Sequence, residues 1–253
     1  MEEDEGIAIV TLDRPDALNA LNTEMLQELR DVLHQVARRQ DVRVVILTGA
    51  GDRAFAAGAD IREMADQGPL EMRRYAALGH EVARLLERMG KPVIAALNGY
   101  ALGGGSELAL ACDIRIASED AQMGQPEVKL GIPPGFGGSQ RLTRLVGRGR
   151  ASEIIFLGEP VAAGEAAKMG LVNRVVPADR LLEEAKAWAR RMQERGALAL
   201  QLAKAAIHQT QETGLSAGLE YERELFSLAF ATDDQDEGME AFLAKRKPEF
   251  GGS

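Results

Sequence analysis

The sequence predicts an α/β fold whose C-terminal part is helical. Short runs rich in β-branched residues alternate with helical patterns up to Val176. From Arg180 onward the pattern is almost entirely helical. Breaks in this helical pattern fall near Gly196, Gly214 and Asp233. Because alternating strands and helices are typical of an α/β core, we divide the chain into a core, residues 1–179, and a helical region, residues 180–253.

The first strand and helix have clear local signals. Residues 6–12, GIAIVTL, read as a strand that ends in a turn containing Pro15 and Asn19. A helix then begins at Asn22 or Thr23, since either side chain can cap it. Its apolar positions recur at spacings of four, three and four, at Met25, Leu29, Val32 and Val36.

The remaining elements follow the same two periodicities. Strands are predicted over residues 42–49, 91–99, 113–118, 121–124 and 170–176. Helices are predicted over residues 71–89, 106–111, 139–147 and 151–158. Residues 51–61, GDRAFAAGADI, read as a loop and turn because small residues and glycines dominate them.

Composition limits the classes of function. The chain has 253 residues, 45% of them hydrophobic, and a net charge of −9, which disfavours unspecific binding to nucleic acid or to an anionic membrane. The single cysteine, Cys112, excludes an intrachain disulfide and indicates a reducing compartment. The start, MEEDEG, has no signal-peptide core, and no apolar run is long enough to cross a bilayer, so we expect a cytoplasmic protein. The histidines, His34, His80 and His208, lie in predicted helices without metal-ligand spacing, so no metal site is expected.

A glycine triplet stands out in residues 98–113, NGYALGGGSELALACD. A P-loop would need Lys and Ser or Thr after the last glycine, and a dinucleotide fingerprint or a nucleophile elbow would need glycine at Leu108. Two interpretations remain. The triplet is either a tight turn with close helix packing, or a turn that aims backbone N–H groups at an oxygen that gains charge. The glycines alone favour the first.

Three further stretches change that balance: RPDALNAL near the N-terminus, AFAAGADI at residues 54–61, and GQPEVKLGIPPGFGGSQRL at residues 124–142. With the glycine stretch, and with GLVNRVV and FLAKRKPEF near the C-terminus, they resemble the enoyl-CoA hydratase (crotonase) family over essentially the whole chain. The resemblance implies a crotonase-like spiral of ββα units followed by a helical trimerisation region. The partner it implies is the chain itself, as a homotrimer or a homohexamer.

The resemblance also implies a site. The thioester carbonyl of an acyl-CoA would sit in an oxyanion hole made by the N–H groups of Ala59, in AGAD, and Gly104, the middle glycine of the triplet. Hydratases of the family carry two glutamates, and Glu107 and Glu127 stand at the matching positions. Two carboxyls suit water addition to a conjugated C=C, since one takes a proton from water attacking C3 and the other handles the proton at C2. By analogy Glu107 deprotonates the water and Glu127 exchanges the proton at C2.

The expected activity is therefore that of an enoyl-CoA hydratase, the reversible addition of water across C2=C3 of a trans-2-enoyl-CoA. No cofactor is expected apart from the coenzyme A of the substrate. Residues matching the family's coenzyme A cleft or offering local positive charge are Asp60, Ile61, Arg62, Arg14 and Lys245. We expect the acyl pocket to be shaped by Met64, Met72, Tyr75 and Leu78.

Three alternatives stay open. Related family members include enoyl-CoA isomerases. They also include specialised dehydratases, such as one that acts on 3-hydroxybutyryl-CoA. One branch of the family binds RNA through a basic helix. The matching helix here holds Arg30, Arg38 and Arg39 among acidic residues, which is a weak electrostatic footprint.

Overall fold

The computed structural model describes residues 1–252, and its backbone is organised around two β-sheets. The larger sheet has six strands in the order β1-β2-β3-β5-β7-β10. Their bounds are Glu2–Asp4, Ile7–Leu12, Val44–Gly49, Val93–Leu97, Ile114–Ser118 and Arg174–Val176. All neighbours are parallel except β1 and β2, which form an antiparallel pair at the edge.

The smaller sheet has four short strands in the order β4-β6-β8-β9. They span Ala54–Ala56, Tyr100–Leu102, Gln122–Gly124 and Val161–Ala162. The prediction of a loop over residues 54–56 was therefore wrong, and β6 and β9 were not predicted. Strands of two or three residues carry too short a pattern to be read locally, and their partners, such as β4 for β6, are distant in sequence.

The order in which the chain visits the sheets confirms the spiral of ββα units. Three times in succession it adds one strand to the larger sheet, one to the smaller sheet and then a helix. The helices that close these turns are α3 (Pro69–Arg88), preceded by the short α2 (Ile61–Met64), then α4 (Gly104–Ala111) and α5 (Gly138–Leu157). The α/β class predicted from the alternation is thus confirmed.

Helices cover both faces of the larger sheet, which explains its continuous apolar strands. Alternate residues of each strand point to opposite faces, so Ala8 and Val10 join the core beneath α1 (Thr23–Arg38) and α3, whereas Ile7 and Ile9 face the other way. The second face is covered by α7 (Leu181–Gln193), which buries Leu181, Ala185 and Ala189. The division of the chain after residue 179 stays a prediction.

Local sequence signals predicted several helix ends to within about two residues. Asn22 caps α1, and its Oδ1 accepts a hydrogen bond from the Met25 N–H at 3.0 Å. Helix α4 begins at Gly104, two residues before the predicted start. The two helices predicted over residues 139–147 and 151–158 both lie within α5, and Gly147, whose φ of +79° and ψ of 161° are not helical, separates them, so the predicted break is confirmed. The short α6 (Ala163–Lys168) was not predicted.

The C-terminal helices are α8 (Ala197–Gln209), α9 (Leu215–Ala229) and α10 (Asp233–Ala244), with breaks near the predicted residues. Helix α8 is fastened to the core by the buried Lys204, whose Nζ donates to the Leu86 carbonyl and pairs with Asp113 at 2.8 Å. Helix α9 buries none of its residues, so its apolar side chains are largely exposed. In residues 1–252 no helix combines the length and apolar character needed to cross a membrane.

Candidate active site

The glycine triplet forms the start of α4, and it packs directly against β4. Gly103 has a φ of +49°, which side chains rarely adopt. A Cβ on Gly105 would lie only 2.1 Å from the Ala56 carbonyl oxygen of β4. A positive φ at Gly103 and close packing at Gly105 thus account for two of the three glycines, in agreement with the simpler of the two sequence interpretations.

Close packing brings together two backbone segments, each of which carries an N–H group without a protein acceptor. Leu21 forms a parallel bridge with Ala59: its N–H donates to the Gly58 carbonyl at 2.8 Å, and its carbonyl accepts from the Asp60 N–H at 2.7 Å. In this pattern the N–H of Ala59 itself faces away from Leu21. Gly104 is the first residue of α4, so its N–H has no acceptor in the helix. Neither group has a protein acceptor within residues 1–252.

These two N–H groups belong to neighbouring segments. A Cβ on Gly103 would lie 3.6 Å from the Cα of Gly58, and one on Gly58 would lie 3.5 Å from the Leu102 carbonyl oxygen. The backbone flanking Gly104 therefore touches the backbone flanking Ala59. The N-terminal end of α4 favours negative charge at this junction.

Glu107 lies in the first turn of α4 and is 1% exposed. Its Oε1 accepts hydrogen bonds from the backbone N–H groups of Phe136, at 2.8 Å, and Gly138, at 2.6 Å. Burial raises the pKa of this carboxyl, while the two N–H donors oppose the rise because they favour the ionised form. The carboxyl is thus fixed in orientation by backbone groups alone.

Glu127 lies in the 3-10 helix Pro126–Leu130, and its side chain extends to the start of α4. A Cβ on Gly103 would lie 3.1 Å from its Oε1, so this carboxyl rests on the glycine turn. Burial raises its pKa to about 7, and the negative charge of Glu107 adds to the rise. Two carboxyls with elevated pKa values are therefore close enough to interact, one on the glycine turn and the other in the first turn of the helix that this turn begins.

A buried amide holds Glu127 in place. Gln125 is fully buried, and with its amide oriented to suit its neighbours it donates from Nε2 to both Glu127 oxygens, at 3.0 and 3.3 Å. Its Oε1 then accepts from the Ser106 hydroxyl at 3.3 Å. Gln125 therefore ties Glu127 to Ser106, the residue of α4 that precedes Glu107.

The residues predicted to contact coenzyme A are distributed unevenly. Asp60 caps α2 and pairs with Arg14 at 3.0 Å. Burial alone would raise the pKa of Asp60. The hydrogen bonds from Arg14 and from backbone N–H groups outweigh burial and lower this pKa below its ordinary value. Ile61 is 48% exposed and, with Arg62, begins α2 next to Ala59. Lys245 ends α10 with a φ of +55°, and no described contact joins it to the other four.

Four residues around the site were not singled out for these contacts from the sequence. They are Gln125, Phe136, Gly138 and, as a hydrogen-bond donor, Tyr75. The first three lie in the stretch GQPEVKLGIPPGFGGSQRL, so their proximity to Glu127 in sequence was the available signal. Within residues 1–252 no group of three or more His, Cys, Asp or Glu side chains could hold a metal ion.

Comparison with known proteins identifies the family of the chain. A family model described as enoyl-CoA hydratase/isomerase matches residues 2–253. The chain belongs to the enoyl-CoA hydratase/isomerase family. Family membership accounts for the spiral of ββα units and for the motifs from which the site was predicted.

Relatives in this family are similar over their whole lengths. The chain is 49% identical to a crotonyl-CoA hydratase from Syntrophomonas wolfei over 250 residues, 99% of this chain and 96% of the relative. It is 48% identical to a short-chain-enoyl-CoA hydratase from Clostridium acetobutylicum, covering 98% and 95% of the two chains. The crystal structure of an enoyl-CoA hydratase from Bacillus anthracis superposes with a TM-score of 0.96 at 42% identity, covering 100% of this chain and 98% of that one. The fold is therefore the crotonase fold.

Proposed function

We propose that the protein is an enoyl-CoA hydratase that adds water reversibly across C2=C3 of a trans-2-enoyl-CoA to give a 3-hydroxyacyl-CoA. The observation that carries the proposal is the presence of two carboxyls, Glu107 and Glu127, beside the turn with the unpaired N–H of Gly104. One donor pair suits the thioester oxygen, and two carboxyls suit the two proton transfers.

The thioester carbonyl would accept hydrogen bonds from the N–H groups of Ala59 and Gly104. Attack of water at C3 pushes an electron pair through C2 onto this oxygen, which becomes enolate-like. The two donors and the N-terminal end of α4 stabilise that charge more strongly in the transition state than in the substrate. Removal of one such donor typically costs on the order of 10²–10³ in rate.

The two carboxyls would divide the proton transfers. Glu107 receives two backbone N–H bonds that favour its ionised form, so it suits the base that takes a proton from the attacking water. Burial and the charge of Glu107 raise the pKa of Glu127 to about 7, against the Gln125 amide, whose donation favours the ionised form, so Glu127 can hold a proton for delivery to C2. The water oxygen bonds to C3, its proton passes to Glu107, and C2 receives the proton of Glu127, which balances the addition.

Short acyl chains are the substrates we propose, because the relatives with 48% and 49% identity are named for crotonyl-CoA and short-chain enoyl-CoA. Fatty acid β-oxidation or a related acyl-CoA degradation is the proposed pathway. The coenzyme is part of the substrate, so no separate cofactor takes part. We propose Asp60, Ile61 and Arg62 as its contacts, since they directly follow Ala59, together with Arg14 and Lys245.

A homotrimer, free or paired into a hexamer, is the proposed assembly, in the cytoplasm. The support is the apolar surface of the C-terminal helices, where Leu215, Phe226, Phe242 and Leu243 are between 67% and 82% exposed. Apolar exposure of this extent usually marks a protein interface. Light scattering coupled to size-exclusion chromatography tests the state, and a monomeric mass would contradict it.

The experiment that tests the activity is hydration of crotonyl-CoA, followed by the loss of ultraviolet absorbance of the conjugated thioester. We expect turnover by the wild type and losses on the order of 10²–10⁴ in kcat for both Glu107→Gln and Glu127→Gln. Glu212→Gln, an exposed glutamate of the C-terminal region, is the matched control and should retain full activity. A wild type that binds the thioester but adds no water would overturn the hydratase assignment, and 3-enoyl-CoA and 3-hydroxybutyryl-CoA would then separate the isomerase and dehydratase alternatives.

Binding of RNA is not part of the proposal. In α1 and the residues after it, Arg30 pairs with Asp31, and Arg39 pairs with Glu3 and Asp41. These ion pairs neutralise the positive charge that a phosphate backbone would require.

A further inference from the structure

Tyr75 of α3 is tied by its hydroxyl to the segment that carries Ala59. The hydroxyl donates to the Leu21 carbonyl at 2.6 Å, and the residue is 8% exposed. The same carbonyl accepts the N–H of Asp60, and Leu21 forms the parallel bridge with Ala59. Tyr75 therefore shares one acceptor with the peptide that follows Ala59, and its hydroxyl limits where that peptide can lie.

The ring of Tyr75 is tied to the segment that holds Glu107. It packs against the ring of Phe136 with centroids 5.1 Å apart and planes tilted by 53°. The Phe136 N–H is one of the two donors to Glu107. The Phe136 ring has little freedom to move, because a Cβ on Gly79 would lie 2.4 Å from it and one on Gly104 would lie 3.1 Å from it.

We propose that Tyr75 is a positioning residue. Its hydroxyl fixes the position of the Ala59 N–H, and its ring fixes the position of the Glu107 carboxyl through Phe136. Tyr75 thereby holds the N–H donor and the base at a constant distance from each other. The proposal deepens the hydratase function and rests on it. One side chain contacts two segments that lie far apart in sequence, since Ala59 follows β4 and Phe136 precedes α5. Burial, with the nearby charges of Glu63 and Asp60, raises the pKa of Tyr75, so the hydroxyl keeps its proton and stays a donor across the working pH range.

The two contacts can be removed one at a time. Tyr75→Phe deletes the hydroxyl and keeps the ring. For this variant we expect kcat to fall about tenfold with an unchanged KM, since small misplacement of a catalytic group costs up to about 10²-fold. The pH dependence should stay that of the wild type, because the Phe136 contact remains. Tyr75→Leu removes both contacts, and its pH dependence should shift as well.

A spectroscopic readout separates positioning from general destabilisation. The ultraviolet band of a bound dienoyl-CoA shifts to longer wavelength when its thioester carbonyl is polarised by hydrogen bonds. We expect a smaller band shift in Tyr75→Phe than in the wild type, and a wild-type shift in Tyr100→Phe, which deletes the same atom from a 41% exposed tyrosine. Both variants should bind the dienoyl-CoA with wild-type affinity.

Two results would overturn the proposal. The first is a Tyr75→Phe variant with the wild-type kcat and band shift. The second is a change confined to KM, which would make Tyr75 part of the acyl pocket wall only. Failure of the hydratase function itself is distinguishable, because it would appear as a wild type that produces the band shift but adds no water to crotonyl-CoA.

Discussion

Phe136 donates its backbone N–H to the carboxyl of Glu107 at 2.8 Å, although the two residues are 29 positions apart. The loop before α5 is thereby bound to the first turn of α4. Two backbone donors, from Phe136 and Gly138, meet one buried carboxyl oxygen, so the base of the proposed reaction is oriented without any side-chain partner on that oxygen. This geometry and its counterpart at Glu127 lead to testable consequences for rate and stability.

The rate of hydration should fall as the pH rises through neutrality. Glu127 must be protonated to deliver its proton to C2, and its pKa is about 7. We therefore expect kcat/KM for hydration to fall as the pH rises through about 7. Initial rates of crotonyl-CoA hydration between about pH 5 and about pH 9 check this, and a flat profile across neutrality would contradict the assignment of Glu127 as the acid.

Conversion of Glu127 to Gln should stabilise the fold at alkaline pH. The folded pKa of about 7 exceeds the ordinary value of 4.5, so the folded state binds the proton more tightly than the unfolded state. Stability of the wild type then falls as the pH rises between these two values, and the loss persists above them. We expect the Tm of Glu127→Gln to exceed that of the wild type at about pH 8, with the difference shrinking toward about pH 4.

Thermal melts of the Glu212→Gln variant serve as the control for this comparison, since its Tm should track the wild type across the same range. A Glu127→Gln variant whose Tm stays below the wild type at alkaline pH would show that the carboxyl is ionised without cost in the fold.

Gly105→Ala should damage both the fold and the site. The added Cβ would lie 2.1 Å from the Ala56 carbonyl oxygen, so α4 must move away from β4. Overpacking of this kind costs about 1–3 kcal/mol of unfolding free energy, and displacement of the Gly104 N–H should lower kcat as well. Urea denaturation and the hydration assay measure the two effects.

Gly164→Ala is the matched control for Gly105→Ala. It also lies in a helix, α6, but nothing stands within 4 Å of its added Cβ. We expect it to stabilise the protein by about 0.4–1 kcal/mol and to leave kcat unchanged. Equal effects of the two substitutions would refute the packing explanation for Gly105.

Arg14 and Asp60 should act as a coupled pair. The guanidinium donates to the Ala20 carbonyl at 2.6 Å and to Asp60 at 3.0 Å, so it braces the backbone on both sides of the bridge between Leu21 and Ala59. In a double-mutant cycle of Arg14→Gln and Asp60→Asn we expect a coupling of roughly 0.5–3 kcal/mol in unfolding free energy. Additive effects, together with a KM that rises only for Arg14→Gln, would assign Arg14 to the coenzyme A phosphates instead.

Some features of this chain follow from short stretches of sequence. The Asn22 cap, the strands Ile7–Leu12 and Val44–Gly49 and the breaks between the C-terminal helices depend on neighbours a few residues away, so periodicity and capping signals predicted them. The sequence motifs by themselves also single out Glu107, Glu127, Ala59 and Gly104. They were selected because these motifs resemble those of the enoyl-CoA hydratase family, and their roles remain proposals.

Other features depend on contacts between distant parts of the chain, and only the tertiary structure decided them. The strands Ala54–Ala56 and Tyr100–Leu102 exist because they pair with each other, and a three-residue strand has no pattern of its own. Which backbone N–H groups meet Glu107, which amide holds Glu127, and that Tyr75 touches both Leu21 and Phe136 are equally invisible in sequence. The residue types of this site were readable because short motifs carry them, whereas its geometry arises when the spiral brings those motifs together in space.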